Sequence, residues 1–219
     1  MWTADGWNLI FRSLYQPNPG IYGVRADGSG QPQRLLDLSA EEFPSSVSPD
    51  GKRLALWGGH AGGAIRMTPV ESGRHNLSLG KAELFLTTPI DPAVNPRSAP
   101  AFSPDGRWLA YCSNESAQLE VYVVPFPGPS GKWRISTAGG KFPLRSRAHE
   151  LFFLDLYSNQ IMVTSYKEIR DSFIAATDGK RFAVVLYADG TAEQKPVTNI
   201  TLLLNFFDEL QRRAPTESK

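Results

Sequence analysis

The sequence predicts an all-β fold, and three observations lead to it. Nineteen glycines and seventeen prolines are spread between short apolar runs along the 219 residues. These runs are rich in β-branched and aromatic side chains, as at 8–11, 120–124 and 182–187. No segment before the C-terminal region keeps apolar residues at the helical spacing i, i+3, i+4, i+7 over about 11 residues. We therefore expect many short strands joined by turns.

One phrase recurs and marks a repeating unit. Ser-Pro-Asp-Gly stands at 48–51 and 103–106, each time followed by a basic residue and an apolar run, and weaker copies stand at 3–6 and 177–179. A degenerate copy lies at 147–153. The aspartates are 45, 55 and 73 residues apart, and a period of ~40–50 residues is typical of one propeller blade. The sequence predicts a β-propeller of four-stranded antiparallel blades, with about four to five blades present in a small closed ring or an incomplete one.

The Asp-Gly pairs are predicted to be structural turn residues. Proline fixes φ near about −65°, aspartate accepts a hydrogen bond from the backbone two residues on, and glycine supplies a positive φ. Calcium would need several converging carboxylates, whereas each turn has one. The predicted turn residues are Asp5, Gly6, Asp50, Gly51, Asp105, Gly106, Asp178 and Gly179.

The third unit shows how a blade is divided into strands. Its first strand is expected at 98–103, its second at 107–113, its third at 119–126 and its fourth at 132–138, because the prolines of 125–129 cannot continue a central ladder. In the first unit the inner strand is cut off, and the fourth has no room for an outer strand. The predicted units are 1–42, 43–97, 98–141, a shortened 142–171 and 172–213, followed by a disordered tail at 214–219.

Three stretches, 99–116, 120–128 and 131–137, resemble the TolB-like β-propellers, relatives of the WD-repeat propellers. They are most similar to the propeller at the C-terminal end of certain bacterial serine/threonine protein kinases. Residues 200–210 are similar to the last residues of those proteins. The resemblance implies six or so blades and an extracytoplasmic or periplasmic setting. The repeated phrase, together with the absence of a catalytic constellation, predicts a non-catalytic binding or sensory module that presents its loops and channel mouth to a protein or small ligand. Two alternatives remain open: a regulatory or substrate-gating propeller fragment of a larger enzyme, either a protein kinase or a prolyl-oligopeptidase-like peptidase, and a degraded product with no present role.

Charge and hydropathy argue against two classes of partner. The net charge of +1 provides no electrostatic footprint for nucleic acid or an anionic membrane. The longest charge-free apolar stretch, 196–207, has twelve residues, whereas a membrane-spanning helix needs ~20. Residues 1–5 lack the basic and apolar regions of a signal peptide. We expect no membrane span and no nucleic-acid binding, and a cytoplasmic location if the chain is complete as given.

The sequence contains no set of residues that we would predict to form a catalytic or metal-binding site. A buried, inert thiol is expected for the single cysteine, Cys112. The three histidines, His60, His75 and His149, are not spaced like the ligands of a metal site. The sequence also contains neither a nucleophile-elbow motif nor the signature motifs of a protein kinase. No cofactor is therefore predicted. One basic cluster is a candidate patch for a partner, with a solvated turn as the alternative, and it consists of Lys141, Arg145 and Arg147.

Overall fold

The computed structural model describes residues 1–14, 18–37, 42–58, 63–88, 100–128, 131–145, 150–158, 160–169, 172–176 and 182–183. All of them belong to one compact unit, Met1–Val185. They form seventeen strands in four sheets, every described pairing is antiparallel, and no helix occurs among them. The prediction of an all-β fold built from antiparallel sheets is confirmed.

Sheet 1 has three strands in chain order, β1 (Asn8–Ser13), β2 (Gly20–Arg25) and β3 (Gln33–Asp37). The first residues of the chain lie along the other edge of β1. Trp2 forms a bridge with Leu9, and the Ile10 amide donates to the Met1 carbonyl at 2.8 Å. This short segment takes the place that a first strand has in the other sheets.

Sheet 2 contains the first of two long third strands. Its members are β4 (Glu42–Val47), β5 (Arg53–Gly58), β6 (Ala64–Ser72), β7 (Leu77–Leu79) and β8 (Glu83–Thr87). The nine-residue β6 pairs with β8 along its first part and with β7 along its last part. The fourth strand of this sheet is therefore made in two pieces.

Sheet 3 has the strand order predicted for 98–141. It consists of β9 (Ala101–Phe102), β10 (Trp108–Ser113), β11 (Glu120–Pro125) and β12 (Trp133–Arg134). β12 ends earlier than the predicted 138. The reason is that the Val121 amide donates to the hydroxyl of Ser136, at 2.8 Å, instead of to a backbone carbonyl of the outer strand.

Sheet 4 differs from the predicted division of the chain. It consists of β13 (Lys141–Arg145), β14 (Glu150–Leu154), β15 (Ile161–Ile169), β16 (Ser172–Ala176) and β17 (Phe182–Ala183). The repeat spacing predicts that a fifth unit begins at 172, whereas β16 pairs with β15 of the same sheet. Two residues separate these strands, the length of a tight hairpin loop. Because β17 also pairs with β15, sheet 4 repeats the two-piece plan of sheet 2. The remaining unit boundaries stay predictions.

The core lies between successive sheets, because strand side chains alternate between two buried faces. Leu54 and Leu56 of β5 pack toward sheet 1, and Ala55 packs toward sheet 3. In β10, Leu109 and Tyr111 pack toward sheet 2. The other face of β10 packs toward sheet 4 with Trp108, Ala110 and Cys112. All six residues of β10 are buried, which explains why this strand is an uninterrupted apolar run in the sequence.

Candidate interaction surface

The three described Asp-Gly turns share one hydrogen-bond pattern. In each, Asp Oδ1 accepts from a hydroxyl two residues earlier at 2.5–2.6 Å and from a backbone N–H two residues later at 3.0–3.1 Å. The glycine that follows has a φ of 74–75°, which only glycine adopts without strain. The structure places Asp5, Asp50 and Asp105 in these turns, whereas Asp178 and Gly179 lie outside the described residues.

Successive turns contact one another along one end of sheets 1 to 3, which we call the turn end. A Cβ added to Gly51 would lie 3.3 Å from Cβ of Ala4, and one added to Gly106 would lie 3.5 Å from Cδ of Pro49. The hydrogen bond from the Ser48 hydroxyl, with one from the Lys52 N–H, lowers the pKa of Asp50. In this environment the carboxylate of Asp50 stabilises its own turn.

The first strands of sheets 2, 3 and 4 lie side by side, and we call their exposed side the first-strand surface. β4 lies beside β9, β9 lies beside β13, and the Phe102 amide donates to the Ser46 hydroxyl at 3.2 Å. Each of these strands is at the edge of its sheet. β4 and β13 both contain a proline, Pro44 or Pro143, and an irregularity in register. Proline and bulges interrupt an edge ladder, so the surface presents side chains more than backbone donors.

Phe142 lies in the bulge of β13 and is the most unusual residue of this surface. Its φ of 54° is uncommon for a residue with a Cβ, and 42% of its surface is exposed. Leu144 is 65% exposed. The ammonium nitrogen of Lys141 lies 5.9 Å from the centroid of the Phe142 ring. Strained residues of this kind persist only where their surroundings hold them, and they cluster at functional sites.

The backbone of Phe142 lies beside the neighbouring sheet. Its N–H is close enough to the thiol of Cys112 in β10 to act on the pKa of that thiol. Burial raises the pKa of the Cys112 thiol to about 12, and the N–H of Phe142 opposes the shift only in part. Cys112 is therefore a protonated, buried group that contacts the bulge.

A second exposed aromatic residue lies near the beginning of β13. Tyr157 is 72% exposed, and a Cβ added to Gly139 would lie 3.3 Å from its ring. The adjacent Asp155 has a lowered pKa. Burial of its carboxyl acts in the opposite direction, but hydrogen bonds from Ser158 and Tyr157 and the charge of Lys141 outweigh it. This end of sheet 4 thus combines exposed aromatic rings with a lysine and a tightly held carboxylate.

The structure does not gather the predicted basic patch into one described cluster. Lys141 is the first residue of β13 and Arg145 is the last, so their backbones are separated by ~13 Å at the usual rise per strand residue. Arg147 lies outside the described residues. The patch stays a prediction.

Sequence reasoning missed the exposed residues beside the patch, although one signal was present. The pair Phe-Pro stands at 43–44 and again at 142–143, in the first strands of sheets 2 and 4. In sheet 2 the phenylalanine is half-buried, with the guanidinium carbon of Arg12 4.0 Å from its ring centroid and the Trp57 ring at 5.8 Å. The same pair is therefore packed in one sheet and exposed in the other.

The described ranges contain neither a candidate metal site nor a candidate membrane-spanning helix. The residues there include no group of three His, Cys, Asp or Glu side chains that could hold a metal ion. They also include no helix with the length and apolar character needed to cross a membrane.

Comparison with known proteins gave similarities among solved structures. No protein-family model and no curated protein matches the chain. A putative TolB from Agrobacterium tumefaciens is 21% identical, with a TM-score of 0.58, over 84% of this chain and 62% of its own. TolB from Acinetobacter baumannii is 18% identical, with a TM-score of 0.57, over 84% of this chain and 47% of its own. A prolyl endopeptidase structure is 15% identical, with a TM-score of 0.51, over 80% of this chain and 28% of its own.

At these identities the similarity establishes the fold. The chain spans 62% and 47% of the lengths of the two TolB chains. The closer likeness to the C-terminal propellers of protein kinases stays a prediction. The four antiparallel sheets and these structural neighbours confirm the predicted fold: the chain has a β-propeller fold similar to that of the two TolB structures.

Proposed function

We propose that the chain is a non-catalytic interaction module that binds a protein through the first-strand surface. The observation that carries this proposal is the bulge in β13, which leaves Phe142 and Leu144 exposed beside Lys141. Bulges re-aim side chains at such positions. Aromatic side chains such as that of Phe142 are enriched in the buried cores of protein interfaces.

The exposed side chains are large enough to contribute to binding. Fully burying a Phe or Leu side chain stabilises by ~1.5–3 kcal/mol, and these two side chains still expose 42% and 65% of their surface. Covering both would contribute ~2–3 kcal/mol on that scale. The predicted cluster of Lys141, Arg145 and Arg147 would favour a partner with acidic residues at the rim of the contact.

The test compares variants of the full chain. The chain is immobilised, proteins captured from an extract of the source organism are identified, and the affinity of each purified partner is then measured. We expect Phe142→Ala and Leu144→Ala each to weaken binding about tenfold, which is ~1.4 kcal/mol. Leu84→Ala is the matched control, because Leu84 is 61% exposed on β8, away from the first strands.

Two results would contradict the proposal. One is a partner whose affinity falls in Leu84→Ala but not in the two β13 variants. The other is turnover of a peptide or phosphoester substrate by the purified chain, which would show a catalytic role. Circular dichroism of each variant establishes that the fold is retained.

A part in a larger enzyme is the second candidate, favoured by the similarity in fold to a prolyl endopeptidase structure. In that case the first-strand surface would contact a catalytic domain of the same polypeptide. The DNA on either side of the region that encodes this chain distinguishes the two candidates. An in-frame kinase domain or α/β-hydrolase domain supports a part in a larger enzyme, and unrelated flanking genes refute it.

A further inference from the structure

A cleft of about 160 Å³ lies between sheet 1 and the β6–β7 hairpin of sheet 2. It is lined by residues of β2, β3 and the hairpin, so it lies among the later strands of the two sheets and not among the first strands. Gly23 allows the two sheets to approach here. A Cβ at this position would collide with Cδ2 of Leu77.

The hairpin is fastened to sheet 1 by three contacts, so the cleft is already formed without a ligand. Asn8, which is 4% exposed, donates through Nδ2 to the Ser72 hydroxyl and the Gly73 carbonyl, both at 3.1 Å. Arg25 donates to the Arg74 carbonyl. The guanidinium carbon of Arg74 lies 5.3 Å from the centroid of the Trp7 ring. A cleft held in this way loses little entropy when a ligand binds.

The charged groups at the cleft neutralise each other. Arg25 forms an ion pair with Asp27, which also accepts hydrogen bonds from the backbone N–H and the hydroxyl of Ser29. The Arg25 guanidinium, followed by the Ser29 hydroxyl, holds the pKa of Asp27 well below its usual range. The cleft therefore offers an incoming ligand neither an unpaired guanidinium nor an unpaired carboxylate.

The groups that remain available are uncharged amides and an imidazole. Gln31, Gln33, His75 and Asn76 line the cleft, and within the described ranges their side chains have no hydrogen-bond partner. Amides and imidazole both donate and accept hydrogen bonds, which is the capacity that matches hydroxyl groups. The volume is below the ~300–1,000 Å³ of sites for drug-sized ligands. We propose that this cleft binds a neutral, hydroxyl-rich ligand the size of one sugar ring.

The test measures sugar binding by the full chain with calorimetry and saturation-transfer NMR. The neutral probes are glucose, galactose and N-acetylglucosamine, and the charged counterparts are gluconate and glucosamine. We expect saturable binding of a neutral sugar with a Kd near ~1 mM. Gln33→Ala and His75→Ala, both at exposed positions, are each expected to weaken it at least tenfold. Gln160→Ala removes an amide from the turn between β14 and β15, outside the cleft, and is expected to leave the affinity unchanged.

Three results would overturn the inference. The first is that none of the neutral sugars binds saturably. The second is tighter binding of gluconate or glucosamine than of any neutral sugar. The third is an equal loss of affinity in Gln160→Ala and in the two cleft variants, which would place the binding site elsewhere.

Discussion

Three repeats have a leucine at the same position, four residues after the turn aspartate: Leu9, Leu54 and Leu109. The three side chains differ in how completely a neighbouring sheet buries them. Leu54 and Leu109 are 0% exposed because the preceding sheet packs on them. Leu9 has the equivalent position in β1 and is half-buried, and on its face of sheet 1 Phe11 is 36% exposed. Replacing each leucine by alanine therefore isolates the contribution of the neighbouring sheet.

The expected magnitudes follow from burial. Leu54→Ala removes three buried carbon groups at ~0.8 kcal/mol each, ~2.4 kcal/mol in all, and the cavity that remains raises the cost to ~2.7–5 kcal/mol. Leu109→Ala should fall in the same range. At Leu9 a void would open to solvent, so no cavity cost arises, and part of the side chain is already hydrated. We expect Leu9→Ala to lower the free energy of unfolding by less than ~1.5 kcal/mol.

Urea unfolding followed by tryptophan fluorescence and by far-ultraviolet circular dichroism measures all three variants. The free energies come from linear extrapolation, with coincident transitions as the check for two-state behaviour. Equal destabilisation by Leu9→Ala and Leu54→Ala would refute the reasoning. It would mean that the face of sheet 1 that carries Leu9 is covered as completely as those of sheets 2 and 3.

Two further predictions concern the turn end and the thiol. Ser48→Ala removes a hydroxyl that donates to Asp50 at 2.6 Å and accepts from the Arg53 amide at 2.9 Å, and we expect a loss of ~1–3 kcal/mol in urea unfolding. The lowered pKa of Asp50 means that its contribution to stability is complete above the ordinary value of 3.8 and is lost as pH falls below it; a wild-type stability as insensitive to acid as that of Asp50→Asn would contradict this. Cys112, whose pKa is raised to about 12 by burial, should resist a thiol reagent at pH 8 in the native chain and react in urea, and rapid native labelling would show that it is accessible.

The turns and strands were predictable because their determinants are local. In Ser103-Pro104-Asp105-Gly106 the hydroxyl, the carboxylate and the positive-φ glycine are all present within four residues, and they form the turn whatever surrounds it. β10 was predictable because its continuous apolar run indicates a strand that is buried on both faces.

The outer strands and the candidate sites depend on contacts between distant residues, which no local pattern reports. The sequence predicts a new unit at β16, because no local pattern shows that β15 extends to nine residues and pairs with the strand that follows it. The bulge at Phe142 lies beside Cys112 of another sheet, 30 positions earlier in the sequence. The cleft depends on Gly23 and Leu77, which are 54 positions apart in the sequence and adjacent in the fold.

The sequence of the repeat distinguishes sheet 4 from sheets 2 and 3. In sheets 2 and 3 the Ser-Pro-Asp-Gly phrase joins the first strand to the second, and hydrogen bonds within the phrase fix where the first strand ends. The sequence between β13 and β14 is Ser146-Arg147-Ala148-His149 and lacks that phrase. β4 and β13 share an irregular register, but of these two strands only β13, which precedes the degenerate sequence, has a residue at positive φ, Phe142. Among sheets 2 to 4, the sheet that lacks the turn phrase is therefore the one whose first strand exposes large apolar side chains, Phe142 and Leu144.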